Sequence, residues 1–147
     1  MRIEKLESVG VNVKNLDEAV ELFSDILDTT FVILGAAESK QKKTVTEHAT
    51  HTLEGAKLRG AMDRRGFLEL LESTPPVEKE GLRNIRFKVP NIEEAKAEMQ
   101  QKGIRLIADV KAGGSNLAIF NPEDLHGIRL VLTEYETPTQ IDAIRQE

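Results

Sequence analysis

The chain has no cysteine and no tryptophan, and it has one tyrosine. The absence of cysteine excludes disulfides, thiolate nucleophiles and cysteine-ligated metals. No stretch approaches the roughly 18 consecutive apolar residues that cross a bilayer, and the first residues contain no apolar signal core. These absences predict a cytoplasmic protein that has no membrane partner.

Positive charge is also scarce. The chain has 20 lysines and arginines against 25 aspartates and glutamates, a net charge of −5 and a pI near 5.3. Nucleic-acid binding depends on clustered basic side chains, so we expect no nucleic-acid partner. A length of 147 residues, of which 39% are hydrophobic, is enough for a single domain with its own core.

What the sequence does contain is an internal repeat. Residues 6–19 return, 76 positions later, as residues 82–95. Such a repeat predicts two copies of one supersecondary unit with a site between them. The identical pairs are Leu6/Leu82, Val13/Val89, Asn15/Asn91, Glu18/Glu94 and Ala19/Ala95.

Each copy opens with the alternating pattern of a strand, over residues 6–13 in the first copy. Asn15 then begins a helix, since its side chain can accept from free backbone N–H groups, and Glu18 stands at the position of a capping box. Asn91 and Glu94 repeat this signal. Three strand-like runs follow each helix, at 31–34, 56–62 and 67–71, and at 104–110, 116–120 and 128–133.

The pattern therefore predicts an α+β fold made of two β-α-β-β-β modules in one domain. The first module spans residues 3–73 and the second spans 80–135. A polar insertion at 36–54 interrupts the first module, and we expect it to be a mobile lid or a disordered loop. A tail at 136–147 carries Ile141 and Ile144 at helical spacing, which is compatible with packing on a partner or with fraying.

Four phrases of the sequence, at residues 9–19, 67–73, 81–89 and 119–128, resemble the vicinal oxygen chelate superfamily. That superfamily includes glyoxalase I, extradiol dioxygenases, bleomycin-resistance proteins and methylmalonyl-CoA epimerase. The phrase Asn-Pro-Glu-Asp-Leu-His-Gly at 121–127 looks most like the epimerase branch. The resemblance covers residues 3–135 and implies a curved mixed sheet around a cavity, a small-molecule ligand and a homodimer.

Enzymes of this superfamily typically hold a divalent metal on four strands. The resemblance places those positions at Ser8, Glu69, Asn84 and Val131, where metal-dependent members usually have His, Glu or Gln, His and Glu. Only Glu69 is a normal ligand, because serine and asparagine are weak neutral donors and valine is none. We therefore expect no cofactor. A metal-dependent glyoxalase- or epimerase-like enzyme with unusual ligands remains an alternative.

Strand alternation predicts which other side chains face the cavity. Asn12 and Arg86 share the face of Ser8 and Asn84, and three cations, Arg86, Lys88 and Arg129, converge on Glu69. Guanidinium groups that bind a carboxylate would then stand in for the lost metal charge. In the alternative interpretation, the cations lie at exposed strand ends and Glu69 is simply ion-paired.

His48 and His51 fall in the insertion, where they are candidates for acid/base chemistry or for ligand and metal binding. A solvated His-x-x-His pair is the alternative. We interpret His126, in the turn before Gly127, as a turn residue.

Two functions remain open. The first is an isomerase- or lyase-type enzyme that abstracts a proton beside a carbonyl of a small, carboxylated metabolite, without the usual metal. Its catalytic candidates are Glu69 and His48. The second is a non-catalytic binding or sequestering protein of the bleomycin-resistance type, although few aromatic side chains are present to stack on planar ligands. The substrate-binding candidates are Ser8, Asn12, Asn84, Arg86, Arg129, Val131 and His51.

Overall fold

The computed structural model describes residues 1–34, 42–45 and 57–146, and for residues 42–45 and 57 it describes the backbone alone. None of the helices in these ranges is long and apolar enough to cross a membrane. The strands are β1 (Lys5–Asn12), β2 (Phe31–Leu34), β3 (Lys42–Val45), β4 (Lys57–Asp63), β5 (Leu68–Thr74), β6 (Gly81–Lys88), β7 (Leu106–Ala112), β8 (Ser115–Phe120) and β9 (Leu130–Glu134). The helices are α1 (Leu16–Ile26), α2 (Ile92–Gln101) and α3 (Gln140–Ile144), with a 3-10 turn at Pro122–Asp124.

The strands form one mixed sheet in the order β2-β4-β5-β1-β6-β9-β8-β7-β3. In each half, the first strand pairs in parallel with the last, β1 with β5 and β6 with β9. The two halves meet where β1 and β6 pair antiparallel. The predicted α+β fold, a curved mixed sheet built from two β-α-β-β-β modules, is confirmed.

Both module helices begin as the sequence predicts. The side chain of Asn15 accepts from the backbone N–H of Glu18, and that of Asn91 accepts from Glu94, each at 3.1 Å. A glutamate on the last strand of each module adds a second bond. Glu72 accepts from Leu16 N at 2.7 Å, and Glu134 accepts from Ile92 N at 2.6 Å. Each carboxylate therefore lies at the positive end of a helix, where it is stabilising.

The two helices cover one face of the sheet. Beneath α1, Val13, Leu16, Ala61 and Leu70 form a buried cluster. Beneath α2, a larger cluster contains Val89, Ile92, Ala95, Met99, Ala118, Phe120 and Leu132. Full burial of one large apolar side chain stabilises a fold by about 1.5–3 kcal/mol, so these clusters anchor the helices and leave the concave face for other side chains.

The insertion contains a strand that the sequence did not reveal. Lys42–Val45 pairs antiparallel with β7, so a segment of the first module extends the far edge of the second. A strand of four residues, Lys-Lys-Thr-Val, has almost no pattern of its own and is held by pairing with the free edge of β7. The rest of 36–54, including His48 and His51, lies outside the described residues.

The tail forms helix α3, which packs on the concave face of its own sheet. Ile141 contacts the cluster of Val32 and Met62 from the first module, whereas Ile144 also packs against Leu117 and Val131 from the second. Helix α3 thus bridges the two modules at the centre of the concave face. Two open clefts, of about 460 and 600 Å³, lie beside α2.

A glycine turn receives the end of α3. Gly114 N donates to Ala143 O at 2.7 Å. A Cβ added at Gly113, where φ is +57°, would lie 2.5 Å from the carbonyl oxygens of Ala143, Ile144 and Gln146. Only glycine adopts this conformation cheaply and admits the helix end so closely.

Candidate functional site

Two β-bulges shape the middle of the concave face. The register of β1 against β6 shifts between Leu6 and Ser8, which leaves Glu7 as an extra residue. A second register shift occurs where Gly10 pairs with Asn84 and Val11 pairs with Leu82, which leaves Arg83 as an extra residue of β6. Positions 7 and 83 are related by the 76-residue offset of the repeat, so the bulges are equivalent. Bulges re-aim the side chains beside them, here Ser8 and Asn84.

The centre of the site is an ion pair between Glu69 of β5 and Arg86 of β6. Arg86 Nη1 donates to Glu69 Oε2 at 3.0 Å, and Nη2 donates to Oε1 at 3.3 Å. Both side chains are more than nine-tenths buried. The predicted meeting of Arg86 with Glu69 is therefore observed, in the interior rather than at an exposed strand end.

Gln140 of α3 completes this cluster. Its Oε1 accepts from Arg86 Nη1 at 3.2 Å, and its Nε2 donates to Thr133 Oγ1 at 3.1 Å and to Ser115 Oγ at 3.3 Å. The two hydroxyl oxygens lie 3.0 Å apart. Alternation along β9 places Thr133 on the same face as Val131, whereas no local pattern in the sequence points to Gln140 or Ser115.

Three buried polar atoms at the centre have no hydrogen-bond partner within the described part of the chain. They are Ser8 Oγ, Asn84 Oδ1 and Arg86 Nε. Asn84 lies against Gly10, where an added Cβ would come within 2.5 Å of Asn84 Oδ1. Leaving such an atom unpaired costs about 1–3 kcal/mol. The structure thus brings together the predicted residues Ser8, Asn84, Glu69 and Arg86. Three of them retain a polar atom that can form a further hydrogen bond.

The superfamily's divalent metal does not fit these residues. Both oxygens of Glu69 already accept from a guanidinium cation, and the nearby Val131 offers no donor. Ser8 and Asn84 add only neutral oxygens. Across residues 1–34, 42–45 and 57–146, no group of three His, Asp, Glu or Cys side chains is placed to hold a metal ion.

Lys88 does not join Glu69 as the sequence suggested. Its Nζ pairs with Glu4 at 3.2 Å and lies 4.2 Å from the centroid of the Tyr135 ring. The Tyr135 hydroxyl donates to Oε2 of the buried Glu7 at 2.8 Å. Burial raises the pKa of Tyr135 above its ordinary value, and the hydrogen bond to Glu7 raises it further. This end of the concave face is therefore rich in carboxylates.

The other end is cationic. Arg83 donates to Asn12 Oδ1 at 3.1 Å. Burial lowers the pKa of Arg83, and the charges of Arg129 and Arg86 lower it further, whereas Glu69 acts against them. Burial also lowers the pKa of Arg129. The predicted Asn12 and Arg129 thus lie with Arg83, a residue that strict strand alternation would not place here.

A curved mixed sheet of two such modules, with a polar cluster between them on its concave face, is the vicinal oxygen chelate fold. No protein-family model and no curated protein sequence matches the chain. Solved structures of methylmalonyl-CoA epimerases do match it in fold, which confirms the resemblance seen in the sequence.

Three of these structures illustrate the likeness. A Streptomyces coelicolor methylmalonyl-CoA epimerase variant in complex with 2-nitronate-propionyl-CoA matches with a TM-score of 0.66 and 20% identity, over 92% of this chain and 100% of that chain. The Mycobacterium tuberculosis enzyme has a TM-score of 0.67 and 17% identity, over 96% and 93%. An epimerase in complex with methylmalonyl-CoA and NH4+ has a TM-score of 0.65 and 21% identity, over 92% and 97%.

Proposed function

We propose that the protein is an isomerase- or lyase-type enzyme that transfers a proton beside a carbonyl of a small, carboxylated metabolite, without a metal ion. The observation that carries this proposal is the buried Glu69–Arg86 pair, since Arg86 Nε and the nearby Ser8 Oγ and Asn84 Oδ1 are buried and have no partner among the described residues. Buried polar groups of native proteins nearly always have partners, so a polar ligand is the natural complement of this centre.

Each residue has a role in this mechanism. The Glu69 carboxylate takes the proton, the substrate C–H bond breaks, and its electron pair moves into the carbonyl to form an enolate. Arg86 stabilises the negative charge that develops on oxygen. Asn84 and Ser8 orient the substrate, and Arg83 with Arg129 attracts its anionic part. The proton then returns to carbon, which gives the isomer.

The structural neighbours support a first choice of substrate. Two of them hold acyl-CoA esters, 2-nitronate-propionyl-CoA and methylmalonyl-CoA. A proton beside a thioester carbonyl is acidic enough for carboxylate catalysis at an electrostatically prepared site. We therefore propose acyl thioesters that carry a carboxylate as the first class to test.

The test is hydrogen–deuterium exchange at substrate carbon. Methylmalonyl-CoA and related carboxylated thioesters are incubated in D2O with wild type, Glu69→Gln and the exposed control Glu78→Gln, each below its melting temperature. We expect wild type and Glu78→Gln to incorporate deuterium, and Glu69→Gln to be at least about 100-fold slower, on the scale of general-base catalysis. Normal exchange in Glu69→Gln would place the chemistry elsewhere, with His48 as the next candidate.

A non-catalytic binding protein is the second candidate. It is favoured by the contact of Gln140 with Arg86, because this contact and the ion pair occupy polar groups that an enzyme would direct at its substrate. Such a protein should show a higher melting temperature with ligand, by mass action, and no deuterium in the recovered ligand. Exchange under the same conditions would exclude it.

We also propose a homodimer. Leu6 and Leu82, the second residues of the paired strands β1 and β6, are 56% and 76% exposed and are available for contact with a second chain. Light scattering should give twice the chain mass for wild type and a monomer for Leu82→Lys. A wild-type monomer would refute the dimer.

The cysteine-free composition supports a cytoplasmic location, which fractionation of the native cells would test.

A further inference from the structure

Gln140 reaches into the protein in the manner of a bound ligand. Its side chain is 1% exposed and makes hydrogen bonds with Arg86, Thr133 and Ser115, which belong to three different strands. The residue itself comes from a short helix that is not part of the sheet. Its planar carboxamide is thus held by protein groups at both its oxygen and its nitrogen.

The same groups suit a carboxylate better than a carboxamide. A carboxylate has the same planar shape, and each of its two oxygens accepts hydrogen bonds. Arg86 would donate to one oxygen. The hydroxyls of Thr133 and Ser115, which now accept from Gln140 Nε2, can rotate and donate to the other oxygen. Charge-assisted bonds of this kind are roughly twice as strong as neutral ones.

Arg86 retains donor capacity for an anion at this place. Its Nη1 donates both to Glu69 Oε2 and to Gln140 Oε1, and its Nε has no partner among the described residues. A carboxylate that replaces the Gln140 carboxamide would therefore meet a guanidinium group with an unused N–H donor.

We propose that Arg86, Thr133 and Ser115 form a carboxylate-binding subsite, and that Gln140 of helix α3 is its exchangeable occupant. This inference rests on the proposed function, because it assigns the carboxylate beside the reacting carbon to Arg86 and leaves Arg83 and Arg129 to other anionic groups of the substrate. It also identifies Thr133 and Ser115 as ligand-binding residues.

Helix α3 is suited to exchange. It has five residues, and a helix of this length is unstable without tertiary contacts. Its anchors are Ile141, Ile144 and the bond from Gly114 N to Ala143 O. A local opening that leaves the sheet intact would free the subsite, and ligand binding would then favour the open form.

A space-creating variant tests the subsite without requiring turnover. Gln140→Ala removes a group of the size of acetamide, so acetate can enter beside Arg86. We expect sodium acetate to raise the melting temperature of Gln140→Ala saturably, relative to sodium chloride of equal ionic strength. Titration calorimetry should give an affinity for acetate at least about tenfold above that of wild type, and above that of acetamide in the same variant.

Two controls define the subsite. Gln101→Ala, at an exposed position of α2, should respond to acetate as wild type does. Adding Thr133→Val to Gln140→Ala should lower the acetate affinity by about tenfold, because one hydroxyl donor is lost. An equal acetate response in wild type and Gln140→Ala, or a preference for acetamide, would overturn the proposal.

A measurement on the unaltered protein covers the case in which Gln140→Ala does not fold. With saturating malonate, backbone amides of residues 140–144 should exchange with solvent at least about tenfold faster than without it, while those of α2 should not change. Unchanged or slower exchange in α3 would overturn the displacement. Neither experiment involves C–H exchange, so their failure is distinct from that of the proposed enzyme activity.

Discussion

Arg86 and Glu69 form a two-point ion pair across the intervening strand β1, with 3.0 Å between Arg86 Nη1 and Glu69 Oε2. The β1 residue paired with Glu69 is Gly10, so no side chain of β1 stands between the carboxylate and the guanidinium at that position. The pair joins the first module to the second, so it contributes to the stability of the fold as well as to the proposed chemistry.

Breaking this pair should cost stability. Removing one partner of a buried ion pair leaves the other charge uncompensated, so we expect Arg86→Met to lower the free energy of unfolding by about 3 kcal/mol in urea titrations. The double variant with Glu69→Gln should lose less than the sum of the two single variants. Lys102→Met, which removes an exposed i,i+4 ion pair with Glu98, should cost under about 0.5 kcal/mol. Additive losses in the double variant would contradict the pairing.

Tyr135 should titrate late and can be observed directly. It is the only tyrosine, and the chain has no tryptophan, so absorbance at 295 nm reports its ionisation alone. Burial and the bond to Glu7 raise its pKa above the ordinary 10.0. Its contribution to stability is therefore complete below pH 10 and is lost as the pH rises through the folded-state pKa.

The corresponding measurement is a spectroscopic titration in buffer and in denaturing urea. We expect the midpoint in buffer to lie above that in urea, and Tyr135→Phe to remove part of the fall in melting temperature above about pH 10. Coincident midpoints in the two solvents would show that the phenol is not held by Glu7.

The two helix caps should be energetically equivalent. Asn15→Ala and Asn91→Ala each remove one side-chain acceptor at a helix start, with an expected cost of about 1 kcal/mol. Asn15→Ser and Asn91→Ser retain an acceptor and should cost much less. Because the modules share one sheet through β1 and β6, both variants should unfold in a single urea transition. Separate transitions for the two modules would contradict this coupling.

Opening of α3 can be timed with a thiol, since the natural chain has none. Ala143 is 0% exposed, whereas Ala97 lies on the exposed side of α2. We expect Ala143→Cys to react with a thiol reagent at least about 100-fold more slowly than Ala97→Cys, because reaction requires local opening. Adding Gln140→Ala should accelerate the reaction of the thiol at position 143 but not that of the thiol at position 97. Equal rates at the two positions would mean that α3 does not cover the sheet.

Much of this architecture follows from local sequence signals. The repeat, the strand alternation and the two asparagine caps predict both modules, because these signals depend on residues close in sequence. The resemblance to the vicinal oxygen chelate superfamily supplies Ser8, Glu69 and Asn84, and alternation adds Arg86 to their face. The same logic fails where the backbone departs from regular pairing.

The bulge at Arg83 breaks the alternation of β6, so a regular pattern does not bring Arg83 to the concave face. Lys88 keeps the predicted face but pairs with Glu4 rather than with Glu69. The place of Gln140 depends on a contact across 54 residues. The pairing of β3 with β7 likewise depends on a distant edge rather than on a local pattern.

The equivalent bulges of the repeat carry opposite charges, Glu7 in β1 and Arg83 in β6. The two halves of the concave face therefore share a backbone but differ in polarity, with Glu4 and Glu7 toward one end and Arg83 and Arg129 toward the other. A ligand at the centre of this face would therefore have a carboxylate on the side of Glu7 and a guanidinium group on the side of Arg83. The repeat gives the site a symmetric backbone frame, and the side chains at positions 7 and 83 make its two ends electrostatically different.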